Sequence, residues 1–237
     1  MNQKKVVLLL FLNAIASFTF AQEETSFGIF LASPVGDFKS TTLGDGGFAK
    51  SGGGIVFDSK YPVKQLPAGW SFIFHSTYQW NNMDNIALGQ KFTEQSGYRT
   101  EVSNSKYSPV LTTIGPGYDF SLGSRIKLGL KAGIGVMFGN TKAFTVKVYD
   151  NNNNEIANQL VNFDNQISFA YSLGTELKFV IIENVFALSL YSDYTSSKQS
   201  TELSFTSAPP VGSFQKLQYF NTGFKLVFMK KVDPSTL

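Results

Sequence analysis

Between Arg125 and Asn140, apolar residues alternate strictly with charged residues or glycines. This alternation is the feature that most constrains how the chain can fold. Every even-numbered position from Ile126 to Phe138 is apolar. The odd-numbered positions are charged residues or glycines, with Met137 as the one exception. A period of two is typical of a β-strand with two unlike faces. The stretch therefore predicts a strand that separates an apolar environment from a crowded, charged one.

The same alternation recurs elsewhere, and two weaker runs precede it, so that the sequence contains eight candidate strands. In chain order they are Thr25–Ser33, Phe48–Lys60, Trp70–Asn81, Val110–Ser121, Arg125–Asn140, Ile167–Phe179, Phe186–Tyr194 and Phe220–Phe228. Short connections alternate with long polar ones. The short ones are residues 61–69, 122–124 and 181–184, and the long ones are residues 34–47, 82–106, 141–165 and 196–215. This alternation predicts an antiparallel up-and-down barrel with all its turns at one end and all its loops at the other.

The composition of the polar face favours a membrane barrel over a water-soluble one. In a soluble barrel the apolar face packs inward, and the outer face has no reason to be rich in glycine. Here the polar face carries Gly115, Gly117, Gly129, Gly133, Gly135, Gly174 and Gly223. Small residues suit the interior of a narrow barrel, so we expect the large apolar side chains to face lipid. A soluble lipocalin-like barrel is the alternative.

Aromatic residues mark both edges of the predicted lipid-facing band. Trp70 and Trp80 share one face and lie ten residues apart in one candidate strand. At ~3.3 Å per residue and a tilt of about 40°, this spacing spans roughly 25 Å along the membrane normal, the usual height of such a band. The sequence thus predicts an aromatic girdle formed by Trp70, Trp80, Tyr78 and Tyr118.

Strand register predicts which charges meet inside the barrel. Pairing Ser121 with Arg125 across a three-residue turn places Asp119 opposite Lys127. Pairing Asp150 with Glu155 places Glu176 opposite Gly129, with lysines on its diagonals. The resulting lumen charge network comprises Asp119, Lys127, Lys131 and Glu176. Because an eight-stranded barrel is only wide enough for side chains to fill it, we expect these charges to be paired and to fill the lumen.

The second of these pairings has a further consequence for the loops. The apolar phase continues past the membrane stretch through Phe144, Val146 and Val148. We therefore expect the fifth and sixth strands to extend outside the membrane as a projecting hairpin. A ten-stranded barrel is the alternative.

The first residues are typical of a cleavable signal peptide. Lys4 and Lys5 precede an apolar run that is shorter than the roughly 20 residues of a membrane-spanning helix, and Thr19-Phe20-Ala21 follows the cleavage pattern. We predict a signal peptide over residues 1–21 and a barrel domain over residues 22–237. Removing Lys4 and Lys5 lowers the formal net charge from +3 to +1, and no basic run suggests a nucleic-acid partner. The absence of cysteine excludes disulfides and thiol chemistry.

Three features that resemble chemical motifs have simpler structural explanations. Gly44–Ser51 lacks the glycine that precedes the lysine of a phosphate-binding loop. Asp150–Glu155 lacks the central glycine and distant glutamate of a calcium loop. His75, the single histidine, is a candidate general base, but its phase predicts a hydrogen-bonded imidazole inside the barrel. We predict no catalytic residue, no cofactor and no metal site.

Three stretches resemble a known family. They are SPVGDF (Ser33–Phe38), GFAKSGGGIVFDSKYPV (Gly47–Val63) and NTGFKLVF (Asn221–Phe228), and Phe20-Ala21-Gln22 accompanies them at the cleavage site. Together they resemble outer-membrane β-barrel proteins of Bacteroidetes-type bacteria, which are similar in architecture to the small OmpA/OmpX-type barrels. The resemblance implies a fold and a location in the outer membrane of a Gram-negative cell envelope. One departure is the tail Met229–Leu237, which follows Phe228, the terminal aromatic that the barrel insertion machinery reads in many relatives.

The sequence favours a non-enzymatic outer-membrane protein with an envelope-structural or surface-interaction role. The expected partners are outer-membrane lipid, the barrel insertion machinery and a surface ligand bound through the loops. A porin-like channel for small solutes is the first alternative. A lipid-modifying barrel enzyme that uses His75 is the second.

Overall fold

A computed structural model describes residues 24–44, 46–63, 65–163, 167–205 and 211–229. The strands are β1 (Glu24–Pro34), β2 (Ala49–Pro62), β3 (Trp70–Met83), β4 (Arg99–Val102), β5 (Lys106–Tyr107), β6 (Val110–Ser121), β7 (Ile126–Phe138), β8 (Phe144–Tyr149), β9 (Glu155–Phe163), β10 (Ile167–Ile182), β11 (Phe186–Phe205) and β12 (Val211–Met229). The helices are α1 (Gly36–Lys39) and α2 (Asn85–Ser96). Neither of the helices in these ranges is long and apolar enough to cross a membrane. The predicted signal peptide lies outside the described residues.

Eight strands close into an antiparallel barrel. Their order around the ring is β1, β2, β3, β6, β7, β10, β11 and β12, and β12 pairs with β1 to complete it. The predicted eight-stranded up-and-down barrel is confirmed. The ten-stranded alternative is wrong, because β8 and β9 pair with each other beyond the ring.

The stagger of the ring fixes how steeply its strands run. Following paired residues once around the barrel from Thr25 leads through all eight strands to Gln218. The carbonyl of Gln218 accepts a hydrogen bond of 3.0 Å from the N–H of Val35, which lies ten residues beyond Thr25. A stagger of ten residues over eight strands corresponds to a strand tilt of about 40°.

The two predicted registers have different outcomes. Between β7 and β10, Glu176 pairs with Gly129 and Leu177 with Leu128, as predicted. Between β6 and β7 the predicted pairing was shifted by two residues, because five residues rather than three separate Ser121 from its partner. Ser121 pairs with Lys127, and Asp119 therefore faces Gly129 instead of Lys127. A shift of two keeps the alternation of faces, so the division into inner and outer positions survives the error.

The faces of the strands point as the alternation predicts. On β7 the even-numbered side chains point outward, and Ile134 is 61% exposed. Met137, the one apolar residue on the odd-numbered face, points inward and is 2% exposed. The large apolar side chains thus form an outer belt around the barrel, and the lumen contains the small, polar and charged ones.

The long connections at one end of the barrel are more ordered than the sequence suggests. The projecting hairpin is confirmed as β8 and β9, but α2 and β4, which were expected to be loop, pack beside it. Residues 196–215 were also expected to be a loop. Instead β11 and β12 stay paired as far as Leu203 and Val211, and β9 adds to the edge of β11. We call the assembly of α2, β4, β8 and β9 the head.

Candidate functional site

A cluster of four charged residues fills the lumen near the short turns. The Lys60 ammonium lies 2.5 Å from Oδ2 of Asp119 and 3.7 Å from Oε2 of Glu24. The Lys178 ammonium contacts Glu24 and lies 3.4 Å from Asp119. These residues come from β1, β2, β6 and β10, so two positive and two negative side chains tie together strands from around the ring.

A second, larger cluster lies farther along the lumen and is organised by two buried lysines. Lys225 on β12 contacts Glu176 on β10 and lies 2.8 Å from Oδ2 of Asp58 on β2. Lys131 on β7 lies 2.9 Å from Asp193 on β11 and 3.5 Å from Asp58. Since an unpaired buried charge is costly, these contacts explain how the charges are tolerated in the interior.

Two rings complete this second cluster. Nδ1 of His75 lies 2.5 Å from Oδ1 of Asp58, and its Nε2 lies 3.8 Å from Asp193. The ring centroid of Tyr191 lies 4.8 Å from the Lys225 ammonium and 5.6 Å from that of Lys131, which are cation–π distances. His75 is therefore an interior imidazole with carboxylate neighbours.

The four charges predicted to form the network all face the lumen, but they do not pair with one another. Asp119 pairs with lysines of β2 and β10, Lys131 with Asp58 and Asp193, and Glu176 with Lys225. Lys127 is half-buried and forms no ion pair with any residue of the described ranges. The sequence also predicts that Lys225, Asp193 and Asp58 face inward as paired charges, but the predicted four-residue network did not include them as the central partners.

Glycines on the inner face provide the room for these charges. A Cβ added to Gly174 would lie 1.9 Å from Oδ1 of Asp193 and 2.7 Å from Cε of Lys131. A Cβ added to Gly129 would lie 2.9 Å from Oδ1 of Asp119. At Gly129 and Gly174, the lack of a side chain is thus explained by the charged side chains that lie over these positions.

An apolar cluster closes the lumen at the end opposite the short turns. Phe38 of α1 is fully buried between the rings of Tyr107 and Tyr219, each with its centroid 4.9 Å away. The hydroxyl of Tyr107 donates a 2.6 Å hydrogen bond to the carbonyl of Gly47. The positive φ of Gly36, 56°, begins the turn that points Phe38 inward. The stretch Ser33–Phe38 that supported the family resemblance therefore covers the mouth of the barrel.

The head is a helix packed on a three-stranded sheet. Leu88 of α2 packs with Val102, Phe144 and Val161 of the sheet in the same apolar cluster that closes the lumen. Asn85 donates from Nδ2 to the Val102 carbonyl at 3.2 Å. The helix is thereby fixed against β4 and covers the edge of the sheet, where an exposed strand would invite pairing with another chain.

The outward face of the head sheet is polar, and its side chains form ion pairs and a cation–π contact with one another. The Arg99 guanidinium lies 4.4 Å from the ring centroid of Tyr149 and 3.1 Å from Glu101. The Lys147 ammonium lies 2.9 Å from Glu155, and this hydrogen bond raises the pKa of Lys147. Beside β4 an open cleft of about 770 Å³ runs along α2 and reaches Gln90, Glu94 and Arg99. This surface offers a folded, charged face rather than flexible loops.

The tip of the projecting hairpin is a local hydrogen-bonded turn. The Asp150 carboxylate accepts hydrogen bonds of 2.8 Å from the backbone N–H groups of Asn152 and Asn154, and one of 3.0 Å from Nδ2 of Asn154. These bonds, above all the one from the Asn154 side chain, lower the pKa of Asp150. Asp150 thus binds its own turn, as expected of asparagine-rich hairpin tips. Across the described ranges no three His, Asp or Glu side chains are grouped closely enough to hold a metal ion.

The four residues of the predicted aromatic girdle lie on the outer wall at the two ends of β3. Trp70 pairs with Tyr118, and their ring centroids are 5.1 Å apart with the rings nearly perpendicular. At the other end the centroids of Tyr78 and Trp80 are 5.9 Å apart. That these four aromatic residues form a membrane girdle stays a prediction.

Comparisons with known proteins were made of both the sequence and the structure. No family model matches the sequence, and no curated protein matches it. Neisserial surface protein A is similar at 11% identity and a TM-score of 0.39, covering 87% of this chain and 95% of that one. The outer membrane protein OprG of Pseudomonas aeruginosa is similar at 12% identity and a TM-score of 0.43, covering 88% and 97%.

A third solved structure is the attachment invasion locus protein of Yersinia pestis in complex with the heparin analogue sucrose octasulfate. It is 13% identical with a TM-score of 0.42, covering 87% of this chain and 99% of that one. No residue role follows from likenesses this remote. The Bacteroidetes-type origin stays a prediction.

Proposed function

We propose that the chain is a non-enzymatic outer-membrane barrel whose lumen is sealed and whose folded head acts at the cell surface. A location in a membrane is supported by the outer belt of exposed apolar side chains, which water would hydrate poorly over so large a contiguous area. A closed barrel is also one of the two structures that satisfy every backbone hydrogen bond in lipid.

The single observation that carries this proposal is the filling of the lumen. Two ion-pair clusters lie along its length, and the apolar cluster around Phe38 covers one mouth. A solute path would have to break buried ion pairs, which is costly because it leaves charges unpaired. The filling argues against the porin-like alternative.

The surface role is supported by the order of the head. Connections that merely join strands need no core of their own, yet α2 and the hairpin bury Leu88, Val102 and Phe144 together. Short turns lie on the periplasmic side in barrels of this type, which supports a position of the head outside the cell. We infer that the polar outer face of the head is the part that meets an external partner or stabilises the envelope.

The outer wall of the barrel suggests two further partners. The first is outer-membrane lipid, which would cover the exposed apolar belt. The last strand, β12, presents Phe224, Leu226 and Phe228 outward in alternation, the pattern that we propose the barrel insertion machinery reads despite the residues that follow.

Conductance distinguishes the sealed barrel from a channel. The mature protein is reconstituted into planar bilayers beside a general porin that serves as the positive control for insertion. We expect no unitary current steps from this protein under conditions in which the porin conducts. Reproducible steps that scale with protein concentration would establish the porin-like alternative instead.

Lipid A mass spectra test the enzymatic alternative. His75 is 2% exposed and lies among Asp58, Asp193 and Lys131 inside the barrel, on the face opposite the lipid-facing belt. We expect identical lipid A in cells that express the wild type, the His75→Ala variant or neither. A modified lipid A species that depends on His75 would overturn the non-enzymatic assignment.

A further inference from the structure

A groove in the outer wall lies on the side of the barrel near the short turns, where β3, β6 and β7 meet. It is an open depression of about 610 Å³. It is lined by Pro67, Trp70, Pro116, Gly117, Tyr118, Phe120, Leu130, Lys131 and Ala132. Apart from Lys131, whose ammonium lies in the lumen, the lining residues are apolar or aromatic.

Local sequence explains the depression. Pro116 has no N–H to donate, and the ladder between β6 and β7 has no paired residues at positions 115 and 116. Opposite this gap Ala132 is the smallest outward side chain on β7. A proline and an alanine side by side leave a hollow between the larger outward side chains of Tyr118 and Leu130.

One wall of the groove is a rigid aromatic stack. The ring centroids of Tyr118 and Phe120 are 4.5 Å apart, those of Tyr118 and Trp70 are 5.1 Å apart, and both contacts are edge-to-face. Leu130 forms the facing aliphatic side. The groove is therefore an open apolar depression in the outer wall, and its aromatic side lies at the edge of the belt.

A positive charge stands at the end of the same hairpin. Arg125 is exposed in the turn that joins β6 and β7, the two strands that supply most of the groove's lining residues. Arginine near a membrane surface attracts anionic lipid headgroups. The groove and this charge together match the two parts of a phospholipid, an apolar chain and an anionic headgroup.

We propose that this groove binds one acyl chain of an anionic glycerophospholipid whose phosphate lies near Arg125. The proposal rests on the membrane location proposed above. The groove is continuous with the exposed belt. An acyl chain that lies in the groove therefore contacts the protein on one side and the other lipids of the bilayer on the other. The site selects a lipid by headgroup charge and holds its chain against Trp70.

The two tryptophans provide a matched pair of probes, since both face outward on β3 and are 40% and 44% exposed. Trp80→Phe leaves Trp70 in the groove, and Trp70→Phe leaves Trp80 at the opposite edge. Each variant is refolded into vesicles of phosphatidylcholine and phosphatidylglycerol in which only one lipid carries brominated chains. We expect brominated phosphatidylglycerol to quench Trp70 roughly threefold to fivefold more effectively than brominated phosphatidylcholine at equal mole fraction. Trp80 should show no such preference.

Three variants in the single-Trp70 background test the residues involved. Arg125→Gln should remove the preference of Trp70 for the anionic lipid. Ala132→Phe fills the groove and should remove it as well. Val136→Phe places the same side chain four residues along the outward face of β7, outside the groove, and should leave the preference intact.

The outcomes separate this inference from the proposed function. If neither tryptophan is quenched by either lipid, the protein does not face a bilayer, and the proposed location fails. If both are quenched without a headgroup preference, the barrel lies in the membrane but the lipid site does not exist. A preference that survives both Arg125→Gln and Ala132→Phe would likewise overturn the site.

Discussion

The ammonium of Lys131 on β7 lies 2.9 Å from Oδ2 of Asp193 on β11, although β7 and β11 are not neighbours in the barrel. Between them runs β10, whose Gly174 pairs directly with Asp193. A Cβ on Gly174 would collide with both side chains. The ion pair thus exists because the intervening strand carries a glycine, and it connects strands that backbone hydrogen bonds do not.

Replacing Lys131 with methionine should destabilise the barrel strongly. The variant keeps the apolar stem but leaves Asp193 buried without its ammonium partner. Breaking one side of a buried pair costs about 3–5 kcal/mol. Urea titration of the protein refolded into lipid vesicles measures the change in unfolding free energy.

Two variants serve as controls for this prediction. Lys131→Arg retains the charge and should cost less than about 1.5 kcal/mol, limited by crowding. Lys127→Met removes a half-buried lysine without an ion partner in the described residues, and should stay within about 0.5 kcal/mol. If Lys131→Met and Lys127→Met lower the free energy of unfolding equally, the ion pair between Lys131 and Asp193 makes no specific contribution to stability.

Sequence periodicity predicts the ring and its faces because both depend on neighbouring strands. A period of two determines which residues face inward, and register errors of two residues, such as that at Asp119, leave the faces unchanged. The partners of Lys225 and Lys131 lie instead on strands that are not direct neighbours, such as β11 for Lys131 and β2 for Lys225. Whether two side chains meet across an intervening strand depends on the registers on both sides of that strand and on the size of its inward residue, which the alternation alone does not give.

The helix α2 and the outer part of β11 escaped prediction for two different reasons. For α2, local signals were present: Asp84 accepts a hydrogen bond from the Ala87 N–H as the N-cap, and Gly97 ends the helix with a φ of 74°. Beyond the belt, β11 continues through polar residues such as Ser196 and Lys198. Outside lipid neither face of these strands has to be apolar, so the alternation disappears while the pairing continues.

Cysteine labelling should establish which end of the barrel is exposed on cells. The chain has no native cysteine, so Asn152→Cys in the head hairpin and Gly123→Cys in a short turn each give a single label site. We expect a membrane-impermeant maleimide to label Asn152→Cys on intact cells, and Gly123→Cys only after the outer membrane is permeabilised. The reverse pattern would place the head in the periplasm.

The hairpin tip should lose its order in acid. Hydrogen bonds to the Asp150 carboxylate lower its pKa in the folded turn, below the value of about 3.9 expected in the unfolded chain. The stabilisation is therefore fully present above that unfolded value and is lost as the pH falls through the lower folded one. The amide resonances of Asn152 and Asn154 in lipid nanodiscs should report this transition. Asp150→Asn should abolish it, and an unchanged acid transition in that variant would assign it to another group.

Leu130→Arg should place a charge on the lipid-facing wall near the middle of β7. In lipid vesicles such a change costs about 2–4 kcal/mol near the bilayer midplane and about 0–1 kcal/mol near its surface. Leu122→Arg, in the exposed turn between β6 and β7, is the matched control and should cost the smaller amount. Equal costs for the two arginines would mean that the belt does not cross a bilayer between these positions.

Gly133→Leu decides whether the glycine face of β7 points inward. A Cβ at Gly133 would lie 2.8 Å from Oγ1 of Thr113 and 3.0 Å from Oγ of Ser172, which hydrogen-bond to each other at 2.9 Å. Leucine would force this bond apart and add bulk to a filled lumen, at a cost of roughly 1–3 kcal/mol or more. Gly123→Leu is the control, because its Cβ would meet nothing within 4 Å. It should stay within about 0.5 kcal/mol in the same urea titration. In an inside-out barrel Gly133 would be a surface position and both variants would be tolerated equally, since nothing would then oppose the added side chain.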